Sequence, residues 1–71
     1  MNKSQSMKIV KNVLKNYPNV MNLDYMTMLH DDKKIVIGCG VINNKRDDVS
    51  ESEMIIYLKN GFIDGVMINL L

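Results

Sequence analysis

Ser50-Glu51-Ser52-Glu53-Met54-Ile55-Ile56-Tyr57-Leu58-Lys59-Asn60-Gly61-Phe62 decides the fold, because it supports two incompatible readings. Ser50 followed by Glu53 is a capping box, and Glu51 and Glu53 suit the positive end of a helix. Met54, Ile55 and Leu58 would then form an apolar stripe, with Lys59 in the last turn and Gly61 at the C′ position. The same residues also read as strand, Asn-Gly turn and strand, a strong hairpin pattern. Two start signals and one stop signal favour a helix over 50–61, since Asn60-Gly61 serves either reading. The expected class is therefore α+β: an N-terminal helix, a β-hairpin, a second helix and a C-terminal strand. The alternative is one helix followed by a four-stranded antiparallel meander.

Downstream, 62–71 reads as a strand interrupted by Asp64-Gly65 and apolar on both faces. Phe62, Val66, Ile68 and Leu70 share one parity; Ile63, Met67 and Leu71 share the other. A strand apolar on both sides is either central in a covered sheet or part of an interface. The first set is thus the expected self-association surface.

Upstream, 43–50 is polar, carries Lys45-Arg46 and Asp47-Asp48, and reads as a mobile loop. Lys34-Ile35-Val36-Ile37 has strand propensity, and Leu23, Tyr25, Thr27 and Leu29 alternate. His30-Asp31-Asp32-Lys33 between them has turn composition, so a hairpin pairing 23–29 with 34–42 is expected. Gly38 and Gly40 around Cys39 predict a bulge or a close backbone approach. Met7, Val10, Val13, Leu14 and Tyr17 recur at helical spacing, predicting a helix over 4–17. Residues 1–5 make a flexible start, Ser4 or Ser6 caps the helix, and Pro18 stops it.

Seventy-one residues make one small domain with limited capacity to bury surface. Short chains commonly add a disulfide, a metal or a partner subunit. The single cysteine, Cys39, and single histidine, His30, allow neither an internal disulfide nor an ordinary zinc site. Of the usual aids to stability, that leaves association, so a homodimer is expected. A lone thiol and a polar N-terminus point to the cytoplasm, and no apolar run reaches the ~18 residues of a membrane span. The preference for Lys over Arg, with abundant Asn, Ile and Met, fits AT-rich coding DNA such as that of low-GC bacteria, their phages and plasmids.

No residue pattern asks for catalysis or a cofactor. Cys39 would need His30 as its base, and the hairpin places the two well apart, so Cys39 reads as a small buried strand residue. Gly38-Cys39-Gly40 lacks the third glycine and the following helix of a dinucleotide fingerprint. His30-Asp31-Asp32, and Asp47-Asp48 with Glu51 and Glu53, lack the alternating oxygen ligands of a calcium loop. Met21, Met26, Met28, Met54 and Met67 offer either core filling or an adaptable partner surface. Lys8, Lys11 and Lys15 form a basic helical face suited to phosphates, though a near-neutral charge and a single Arg offer little for base reading.

Residues 49–66, from Val49 through the capped segment to Gly61 and the apolar strand at Phe62, resemble the last helix and first wing strand of winged-helix domains. That resemblance implies a winged-helix-like, nucleic-acid-binding layout. The remainder departs from the pattern, because the adjoining segment reads as strand and polar loop, and the chain has no second wing strand. The expectation is a small non-enzymatic binding or regulatory protein acting through protein–protein contacts. A nucleic-acid-binding regulator using Lys8, Lys11 and Lys15 is the alternative.

Overall fold

The computed structural model describes the backbone of residues 1–71 and every side chain except those of 24–27. A helix, α1 (Lys3–Leu14), precedes four strands: β1 (Val20–His30), β2 (Lys34–Asn43), β3 (Asp48–Lys59) and β4 (Phe62–Leu70). The strands pair antiparallel in the order β1-β2-β3-β4, a meander with α1 on one face.

The helix expected over 50–61 is absent, and the meander takes its place. Burial on β3 falls on Ser52, Met54, Ile56 and Leu58, a period of two rather than 3.6. Met54 and Ile55, which a helix would set on one stripe, face opposite sides of the sheet. The capping residues are absorbed by the ladder: Ser50 pairs with Val41 and Glu53 with Gly38. A helix here would leave β2 without its long partner, and β2–β3 runs in one unbroken register from Lys34↔Tyr57 through Asn43↔Asp48. The winged-helix resemblance falls with it, since its recognition element is strand.

Each hairpin is closed by its own turn chemistry. Asn60 (φ 53°) and Gly61 (φ 82°) both take positive φ, as a type I′ turn requires. At the β1–β2 turn, Asp31 Oδ1 accepts the backbone N–H groups of Lys33 (2.7 Å) and Lys34 (2.9 Å). These bonds hold the Asp31 carboxyl below its ordinary pKa. Asn43 Oδ1 does the same for Lys45 (3.1 Å) and Arg46 (3.3 Å), and Asp47 turns the chain at φ 54°. The polar connection expected over 43–50 is thus shortened to 44–47, with both flanks in strands. The hairpin expected over 23–29 and 34–42 forms and extends at both ends.

The helix starts and stops earlier than the periodicity suggests. Asn2 is the N-cap, in a reciprocal capping box with Gln5 (2.9 Å each way), so Ser4 and Ser6 lie inside the helix. Regular helix therefore begins at Lys3, within the segment expected as a flexible start. After Leu14 the bonds tighten: Asn16 N–H donates to Val13 O and Tyr17 N–H to Leu14 O. A turn over Tyr17-Pro18-Asn19-Val20 then leads into β1, with Val20 N–H donating to Tyr17 O at 2.9 Å.

Ser6, Val10 and Val13 are the buried stripe of α1. Val10 and Val13 join Val20 and Met28 of β1, Ile35, Ile37 and Cys39 of β2, and Met54, Ile56 and Leu58 of β3 in one core cluster. An α-helix is about 10 Å across and four strands span about 19 Å, so one helix covers only part of one face. β4 lies outermost on that side; Val66 and Ile68 pack at the core margin, while Ile63 and Leu70 remain exposed.

Candidate functional site

Residues directly opposite in an antiparallel ladder project to the same side, so the register sorts the sheet into two faces. The face away from α1 carries one residue of each strand in a single transverse row: Leu29 opposite Val36, Val36 opposite Ile55, and Ile55 opposite Met67. All four are apolar. Leu29 is 69% exposed and Met67 47%, with Val36 and Ile55 half-buried. Among the described residues, no helix or strand lies over them.

Charges flank this row in an ordered way. Towards the β1–β2 and β3–β4 turns come Lys34 and Tyr57, then Lys59 and Phe62. Towards the other end come Glu53 and then Glu51. At the level of Glu51, the side chains of Met21, Leu23 and Val49 close over Gly40, where a glycine lets side chains settle on the backbone. This is the close approach expected around Cys39. The face is therefore apolar across its middle, basic at one end and acidic towards the other.

The four residues expected to act together in self-association do not share a face. Tyr57 pairs with Gly65 but Leu58 pairs with Ile63, so Asp64 is an extra residue. Such a bulge reverses parity. Phe62, 77% exposed, projects to the open face, whereas Val66, Ile68 and Leu70 lie on the helix side. Met67, assigned to the other parity, is the β4 residue at the centre of the open face. The bulge is what separates Phe62 from the other three, and Asp64-Gly65 inside an apolar strand is its visible signal in the sequence.

The methionines divide likewise. Met28 and Met54 are core, while Met21 and Met67 are on the open face. Tyr25, Met26 and Thr27 lie outside the described side chains. Lys8, Lys11 and Lys15 are all exposed on the outer side of α1.

The nucleophile and base candidates stay apart. Cys39 is fully buried, and desolvation, with the nearby Glu53 charge, pushes its thiol pKa up. His30 pairs with Ile35, four residues from Cys39 along β2, or about 13 Å. Asp31 is engaged in its turn, and Asp32 Oδ1 lies 3.3 Å from the N-terminal ammonium. No helix among the described residues is long and apolar enough to cross a membrane.

No protein-family model, curated protein or solved structure matches this chain.

Proposed function

We propose that this chain is a small non-enzymatic binding protein that works through protein–protein contact as a homodimer, with the open face of its sheet as the contact surface. The observation that carries this reading is the transverse row Leu29, Val36, Ile55 and Met67, which brings an apolar side chain from every strand to an uncovered face. Apolar patches of this kind mark interaction surfaces. The exposed area agrees: 5098 Å² is accessible, against about 4,500 Å² for a typical compact monomer of this mass. A non-enzymatic role is supported by the separation of Cys39 from His30 and by the raised thiol pKa, both unfavourable to a nucleophile.

Ile55→Asp tests the assignment. It places a charge at the centre of the face, outside the core packed by α1. The expected result is a folded chain that no longer associates. Association unchanged by this substitution would exclude the open face.

A second reading rests on the exposure of Lys8, Lys11 and Lys15 along the outer side of α1. It makes that helix a phosphate-binding surface, without any winged-helix layout. Duplex DNA should then be retained at low salt and released as salt rises, and reversing Lys11 and Lys15 should weaken retention.

A further inference from the structure

We infer that the occupant of the open face is a second copy of this chain, packed sheet on sheet about a two-fold axis that runs along the Leu29–Val36–Ile55–Met67 row. This rests on the docking role proposed for that face and adds its geometry. An interface between identical copies is isologous, so the face must complement itself. The charges select one axis. On β3, Ile55 stands midway between Glu51 and Lys59 and midway between Glu53 and Tyr57. An axis across the strands at Ile55 reverses the partner's β3. Glu51 then faces the Lys59 end of the other copy, and Glu53 faces its Tyr57 and the adjacent Lys34. An axis parallel to the strands would instead bring each acidic end onto the other's acidic end, which like-charge repulsion disfavours.

Size and packing agree. Strands about 4.8 Å apart and some ten residues long give a face of roughly 600–700 Å², close to the ~800 Å² per partner of a standard interface. Packed sheets keep their strands within about 30° of one another. The long Lys34 and Lys59 side chains can span the resulting offset. Val36 and Ile55, half-buried in one copy, would become the sealed centre. The free edges are less suited to strand addition, since β1 slips register between Asp24 and Leu29 and β4 is bulged at Asp64.

The test uses two charge variants of the full chain in sedimentation equilibrium at micromolar concentration. Glu51→Lys/Glu53→Lys makes both ends basic, and Lys34→Glu/Lys59→Glu makes both acidic. Each alone should dimerise at least about tenfold more weakly than the parent chain, a factor that corresponds to 1.4 kcal/mol. Mixed in equal amounts they should recover association as a heterodimer, because every contact is again between opposite charges. Recovery on mixing also shows that both variants are folded. If Ile55→Asp abolishes association while both charge variants dimerise normally, the axis is wrong and the face assignment stands. A parent chain that remains monomeric would overturn the homodimer and the axis together.

Discussion

Val49 occupies the space that a side chain at Gly40 would need. A Cβ on Gly40 would lie 2.6 Å from Val49 Cγ1 and 3.2 Å from Met21 Cγ. Gly40→Ala should therefore force Val49 aside. Overpacking costs about 1–3 kcal/mol, offset by roughly 0.4–1 kcal/mol from the stiffer unfolded chain. The expected net loss is about 1 kcal/mol in urea denaturation, with much of it recovered when Val49→Ala is added.

Gly61 and Gly65 should respond in opposite directions. A methyl group at either site would meet no atom within 4 Å, but Gly61 sits at φ 82° and Gly65 does not share that conformation. Gly61→Ala should cost about 1 kcal/mol, because an L-residue is strained there. Gly65→Ala should be neutral or stabilising by up to about 1 kcal/mol. Comparison of urea midpoints decides; equal losses at both sites would argue against the type I′ turn.

How much of this was legible beforehand depends on which contacts each residue makes. The N-terminal helix and the first hairpin were readable, because Val10 and Val13 or Lys34-Ile35-Val36-Ile37 carry their period locally. Residues 50–61 were misread because Ser50 and Glu53 satisfy a local cap rule, while the forces that win are non-local. Ile56 lies between Val66, its partner across the Asn60-Gly61 turn, and Ile35, a partner from the preceding hairpin that no local rule anticipates. The open face was half visible. Apolar residues on both parities of β4 pointed to an interface, but the bulge at Asp64 moved Phe62 and Met67 together and separated Phe62 from Val66, Ile68 and Leu70. No sequence period survives an inserted residue.

The alternation along β3 has an energetic signature. Ile56 is fully buried between β2 and β4, so Ile56→Ala should cost about 2–5 kcal/mol. Most of that loss should appear as a lower urea midpoint with circular dichroism still showing strand at zero urea. A small effect would contradict the register.

Cys39 should behave as a reporter of opening. It is fully enclosed and its thiol is held above the ordinary value by desolvation. A thiol reagent should label it slowly in the native chain and rapidly in denaturant. Rapid native labelling would contradict the burial of Cys39 in the core.

Asp31 gives a pH dependence with a definite sign. Its folded pKa lies below the ordinary carboxyl value because the carboxylate accepts two backbone N–H bonds. Its contribution is therefore complete above that value and is lost as pH falls through the lower folded value. Stability should decline more steeply below about pH 4 in the parent chain than in Asp31→Asn, which keeps an acceptor but does not titrate. Parallel profiles in urea titrations from neutral to acid pH would contradict the turn geometry.

The most direct measurement of the account is sedimentation equilibrium of the parent chain and Ile55→Asp at micromolar concentration. The open-face homodimer predicts a dimer for the parent and a folded monomer for the variant. A parent that sediments as a monomer, or a variant that remains dimeric, would contradict it.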